Sequence, residues 1–159
     1  MTILGDEDWM RLALQQAQIA ARDNEVPVGA VVVQQGQLIG SGHNLTQAQR
    51  QIHTHAELVA LGAASRNCGL HQLAASTLYV TLEPCLMCLG AIVQARLARL
   101  VFGAYEPQTG ALVSHYQLAH YPGHNFDWRG GVLQQECARL MQDFFLNQRR
   151  KQIRSGPLD

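Results

Sequence analysis

Ser76-Thr77-Leu78-Tyr79-Val80-Thr81 runs directly into Leu82-Glu83-Pro84-Cys85-Leu86-Met87-Cys88. The first part is β-branched and apolar over strand length and reads as a strand. Proline suits a helix start, so the residues from Pro84 or Cys85 to about Ala95 read as a helix. Cys85 and Cys88, at i and i+3, then share one face of it. Arg99 to Gly103 is strand-like again. Strand, helix and strand in that order imply a right-handed βαβ unit with parallel strands, and the ligand site of such a unit lies outside the strand ends where the helices begin. The chain is therefore expected to be an α/β fold with a site near Cys85.

About thirty residues earlier stands His55-Ala56-Glu57. One His and two Cys offer a tetrahedral zinc three protein ligands and leave the fourth position to water, the pattern of a catalytic site; a structural zinc takes four. Glu57, two residues from His55, can take a proton from that water and pass it on, which makes it the candidate general acid/base. The apolar run Leu58, Val59, Leu61 suggests that His55 opens a helix as well. Two helix N-termini then meet at the metal, where their partial positive charge favours anions. Alone, the Cys pair could equally be a redox pair or small hydrophobes on a core face. With the His-x-Glu half and the proline it matches the H-x-E and P-C-x-x-C pattern of zinc nucleobase deaminases.

Length and composition agree with this reading. At 159 residues and 17.5 kDa the chain is expected to form one domain over 1–159 that buries roughly 70% of its unfolded surface. Four cysteines, two of them in the metal motif, argue for a reducing compartment and a cytoplasmic protein. The acidic N-terminus (Asp6, Glu7, Asp8) does not resemble a secretory leader, and no apolar run is long enough to cross a bilayer. The formal net charge is zero, so composition alone gives no sign of nucleic-acid binding. The distribution is uneven, however: Arg149, Arg150, Lys151 and Arg154 hold four of the twelve basic residues. A solvated helix end, favoured by the helix dipole, and a phosphate-binding patch both fit that cluster.

A first helix capped by Asp6 or Asp8 is expected to reach about Asn24, with Trp9, Leu12, Ala13, Ala17 and Ala20 on one side. Glu25-Val26-Pro27 breaks it. Gly29 to Val33 and Leu38 to His43 read as a hairpin joined through Gln34-Gln35-Gly36-Gln37. Thr46 to Thr54 reads as a polar loop, and the helix after His55 fades between Arg66 and Gly69. From Tyr105 to Asn125 the chain is loop-rich, with turns at Thr109-Gly110 and Pro122-Gly123 and a short helix near Ser114 to Ala119. Val132 is placed on a short edge strand. A last helix is expected from about Gln134 to Arg150, with Cys137, Leu140, Met141, Phe144 and Phe145 on its apolar face.

Beyond the zinc motifs, Glu25-Val26-Pro27-Val28-Gly29-Ala30-Val31, Thr81-Leu82-Glu83-Pro84-Cys85, Val101-Phe102-Gly103-Ala104, Thr109-Gly110-Ala111, and Glu136-Cys137 followed by Asp143-Phe144-Phe145 resemble the bacterial tRNA adenosine deaminase family. That family belongs to the cytidine-deaminase-like superfamily and converts adenosine to inosine at the tRNA wobble position. The resemblance covers nearly the whole chain. It implies a three-layer α/β/α sandwich with a mixed five-stranded sheet, one zinc per chain on His55, Cys85 and Cys88, and proton shuttling by Glu57. It further implies nucleobase contacts from Asn44, Val28, Ala56 and Pro84, the tRNA anticodon stem-loop as partner, and a homodimer. The Asn44 amide both donates and accepts, as reading a purine edge requires, although an Asn at a strand end also serves simply to turn the chain.

The sequence departs from the family pattern at Gln51-Ile52-His53-Thr54, at Glu106-Pro107-Gln108, and at Phe126, which follows Asn125 in place of a basic residue. A free nucleobase or nucleoside deaminase of the same fold is the alternative these departures leave open. A binding module that keeps zinc but has lost catalysis is a further one, and the intact Glu57 argues against it. His53 is read as a rim residue, since the H-x-E pattern selects His55.

Overall fold

The computed structural model describes residues 2–120 and 125–156; the expected turn at Pro122-Gly123 lies outside them. The chain runs α1 (Asp6–Arg22), β1 (Gly29–Gln34), β2 (Gln37–His43), α2 (Thr46–Gln49), α3 (Ala56–Cys68), β3 (Ser76–Leu82), α4 (Leu86–Gln94), β4 (Arg99–Ala104), β5 (Asp127–Arg129) and α5 (Gln134–Arg154). The strands form one five-stranded sheet in the order β2-β1-β3-β4-β5. β1 pairs antiparallel with both β2 and β3, and β3-β4 and β4-β5 are parallel. This is the expected mixed sheet, with the βαβ unit β3-α4-β4 at its centre.

Alternate side chains of each strand enter opposite layers. Val32, Leu78, Val80, Leu100 and Phe102 pack with Ala60, Ala64, Leu89 and Ile92 of α3 and α4. Val31, Val33, Tyr79 and Val101 pack with Trp9, Met10 and Ala13 of α1 and Cys137 of α5. Helices thus cover both faces. β2 presents Gly40 and Gly42 to α3, and a Cβ there would come within 2.5 Å of the Ala60 carbonyl and 2.7 Å of the Ala60 nitrogen. Glycine at these positions lets α3 sit against the backbone of β2, which sets the height of His55 over the sheet.

Several local expectations need correction. The residue that caps α1 is Gly5, whose N–H donates to the Asp8 carboxylate at 2.9 Å. Asp6 instead accepts from both Arg99 guanidinium nitrogens at 2.6 and 2.9 Å, from Arg129 at 2.9 Å and from the Tyr79 hydroxyl at 3.0 Å. The segment expected to be a polar loop contains α2, because the buried Glu25 carboxylate accepts the N–H groups of Gln47 and Ala48 that a helix start leaves free. No helix forms over 114–119. The N–H groups of Val113 and Ser114 are held by the Glu83 carboxylate at 2.9 and 3.0 Å, which pins this segment as turns.

The edge strand is Asp127–Arg129 rather than a segment around Val132. Gly131, at φ +83, turns the chain off the sheet, and Val132 becomes a buried core residue. The last helix continues to Arg154, four residues beyond its expected end, so the whole basic cluster is helical. Of its expected apolar face only Cys137 is buried, while Phe145 remains 43% exposed.

Candidate active site

His55 and Cys85 occupy equivalent places. Each is the extended residue just before a helix, at φ −68 and ψ 154 for His55 and φ −74 and ψ 175 for Cys85. Their carbonyls accept the first bonds of α3 and α4, from Val59 at 3.0 Å and Leu89 at 2.9 Å. α4 therefore begins at Leu86, and Pro84 stands outside the helix instead of at its first position. Pro84 is buried, and its carbonyl accepts the Ala111 N–H at 2.9 Å.

Cys88, in the first turn of α4, is fully buried. Its Sγ lies 3.5 Å from His55 Nδ1, and Cys85 Sγ lies 3.6 Å from the same atom. All three donor atoms fall within 4.8 Å of one another, the one such group with metal-ligand character among the described residues. His53, by contrast, is exposed and outside this group.

The electrostatics of the group favour a cation. The hydrogen bond from Cys88, helped by His55, draws the Cys85 thiol down to about 4. The same bond to Cys85, with burial and the nearby Glu57, pushes Cys88 up. The bond to Cys85 outweighs burial and raises the His55 imidazole. Cys85 is the readier thiolate of the pair, and a divalent ion would displace the remaining protons, since a coordinating thiol is deprotonated outright. Glu57, the second residue of α3, is 4% exposed, and burial pushes its carboxyl up to about 7. A carboxyl that titrates near neutrality both takes and returns protons there.

His55, Glu57 and Cys85 line a cavity of about 220 Å³, with Cys88 buried behind them, and the lining also includes Val26, Val28, Asn44, Thr46, Ala56 and Thr109. Val28, Asn44 and Ala56 were singled out in the sequence; Pro84 is not among the lining residues. Thr46 and Thr109 were placed in loops without a role. The Thr46 hydroxyl donates to the buried Glu25 carboxylate at 3.4 Å, and the buried Glu83 carboxylate fixes the loop that carries Thr109 on either side of it. Glu83 accepts from Glu106, Val113 and Ser114 backbone N–H groups and the Ser114 hydroxyl. Burial alone would raise its pKa, but these bonds outweigh burial and lower it. Its sequence signal is a charge between an apolar strand and a proline. Glu25, in Glu25-Val26-Pro27, also stands shortly before a proline, but it follows a polar helix end and carries no comparable signal.

A match to the MafB19-like deaminase family spans residues 4–149. The tRNA-specific adenosine deaminase of Haemophilus influenzae is 44% identical over 147 residues, covering 91% of this chain and 85% of that protein. Its counterpart in Bacillus subtilis is 38% identical and covers 92% of both. The chain belongs to the tRNA-specific adenosine deaminase family.

The structural likeness agrees. A solved structure from work on A-to-I editing by tRNA:A34 deaminases at the wobble position superposes with a TM-score of 0.81 at 38% identity, covering 83% of this chain and 97% of that one. Guanine deaminase from Nitrosomonas europaea superposes with a TM-score of 0.80 at 22% identity, covering 91% and 86%. The second likeness is one of fold. For a tRNA-specific adenosine deaminase, the departures at Gln51, Ile52 and His53 fall on an exposed loop, whereas Phe126 is half-buried against the core.

Proposed function

We propose that the chain, as a single domain over 1–159, is a zinc-dependent hydrolase that deaminates adenosine to inosine at the tRNA wobble position. The observation that carries the reading is the triangle of donor atoms beside a buried carboxylate at one end of a nucleobase-sized cavity. Zinc–sulfur bonds of about 2.3 Å and zinc–nitrogen bonds of about 2.0–2.1 Å at the tetrahedral angle put ligand N and S about 3.6 Å apart. His55 Nδ1 lies 3.5 and 3.6 Å from the two thiol sulfurs. His55, Cys85 and Cys88 therefore suit one zinc, which supplies the Lewis acidity that makes water a nucleophile at neutral pH.

Glu57 takes a proton from the attacking water and gives it to the ring nitrogen beside C6, then takes the second proton from the hydroxyl now on C6 and gives it to the departing amine, so adenosine and water become inosine and ammonia. Val28, Asn44 and Ala56 flank the base; Pro84 acts from behind Cys85 by fixing where the strand ends.

The anticodon stem-loop is the partner this reading assigns. Arg149, Arg150, Lys151 and Arg154 supply phosphate contacts, and among the described residues none of the four is in an ion pair. α4 carries no charged side chain, and Leu86 and Met87 on it are 48% and 38% exposed. This face and the neighbouring Leu58 and Gly62 of α3 support a homodimer. No helix among the described residues is long and apolar enough to cross a membrane, and the four free cysteines fit a reducing cytoplasm.

Ammonia release from an anticodon stem-loop containing the wobble adenosine tests the reading, with free purines and cytosine as comparison. Turnover of the stem-loop is expected. Turnover of a free base or nucleoside alone would move the assignment to a small-molecule deaminase, which zero net charge also suits.

A further inference from the structure

The proton path above makes no use of Glu25, yet this carboxylate is 1% exposed and four donors converge on it. The Ala48 N–H reaches Oε1 at 2.7 Å. Asn44 Nδ2, the Thr46 hydroxyl and the Gln47 N–H reach Oε2 at 3.4, 3.4 and 3.3 Å. Asn44 and Thr46 line the cavity, and so do Val26 and Val28, which follow Glu25 in the chain. One buried carboxylate thus holds both polar side chains of that wall.

Its chemistry also settles the Asn44 amide. A carboxylate accepts hydrogen bonds and cannot donate them, so the amide nitrogen must face Glu25. That leaves Asn44 Oδ1, which is buried and has no hydrogen-bond partner. A buried acceptor in this condition is unfavourable until a ligand brings a donor to it. The reversed amide would set oxygen against the carboxylate.

We propose that Glu25 is a positioning residue that sets the polarity of nucleoside recognition: it holds Asn44 so that an unpartnered acceptor faces the substrate. The bound nucleoside is then read through an N–H or O–H that it donates; adenosine offers its exocyclic amine and ribose hydroxyls. This rests on Asn44 being a substrate-reading residue. Gln at position 25 keeps the shape but turns one oxygen into a donor. Facing Asn44, that donor would favour the reversed amide and replace the acceptor with an N–H.

Kinetics on the anticodon stem-loop for the zinc-loaded parent, Asn44→Ala, Glu25→Gln and the double variant test this, with zinc content and melting measured for each. Each single change should lower kcat/KM about tenfold or more, the Glu25→Gln loss lying mainly in KM. Adding Glu25→Gln to Asn44→Ala should cost less than about twofold, because the first acts through the second. Parent-like kcat/KM in Glu25→Gln, or the same loss in both backgrounds, overturns the positioning role while leaving Asn44 in place. A silent Asn44→Ala overturns the reading of Asn44 itself. Should Glu25→Gln not fold, the parent's Asn44 side-chain amide can be followed by NMR. Slow proton exchange, and a shift when purine riboside binds, are expected; fast exchange with no response would sink the proposal.

Discussion

Cys88 Sγ lies 3.5 Å from His55 Nδ1 across 33 residues of sequence, and nothing but the packing of α3 and α4 on one face of the sheet brings them together. If a zinc ion shares that contact, it ties the two helices as well as the chemistry. Cys88→Ser should lower the zinc content from about one per chain and depress the melting temperature together. Elemental analysis and calorimetry on the same sample check this, and undiminished zinc would remove Cys88 from the ligand set.

Glu57 is buried beside that group without belonging to it. Glu57→Ala should therefore keep fold, zinc and stem-loop binding while turnover falls by about 10²–10⁴-fold, the usual loss of a general acid/base. Single-turnover kinetics with bound stem-loop separate the two effects. A near-parental rate would take the proton shuttle away from Glu57.

Asp6 joins the start of α1 to β3, β4 and β5 through Tyr79, Arg99 and Arg129. The Arg99 guanidinium, with Arg129 and Tyr79, holds its carboxyl down at about 2 against an ordinary 3.8. Because the folded value lies below the unfolded one, its stabilisation is fully present above about pH 4 and is lost as pH falls toward 2. Asp6→Asn should cost about 1–2 kcal/mol at pH 7. In urea melts the gap between parent and variant should close between about pH 4 and 2. A gap that does not change with pH would show that the carboxylate charge is not what stabilises the contact.

The basic end of α5 offers a test of the polynucleotide substrate. Removing residues after Gln148 should weaken stem-loop binding and flatten its decline with salt, because fewer counterions are released. Titrations at several salt concentrations measure that slope. Parental affinity and slope in the truncated protein would leave the cluster as solvated helix surface.

The sequence alone determined those parts of the protein whose physics is local. The βαβ order, the α1 stripe, the Gln35-Gly36 hairpin and the His55, Glu57, Cys85 and Cys88 set follow from periodicity, turn chemistry and ligand spacing, all carried by neighbouring residues. Three of its errors share one cause. The helix expected over 114–119 fails because Glu83, about thirty residues earlier, takes the backbone N–H groups of Val113 and Ser114. α2 forms in an expected loop because Glu25 accepts from Gln47 and Ala48, and the α1 cap falls to Gly5 while Asp6 turns to Arg99. A buried carboxylate takes whatever donors the fold brings to it, and local propensity carries no record of partners that distant. Only the tertiary structure could decide which way the Asn44 amide faces and which residues wall the cavity beside the metal group.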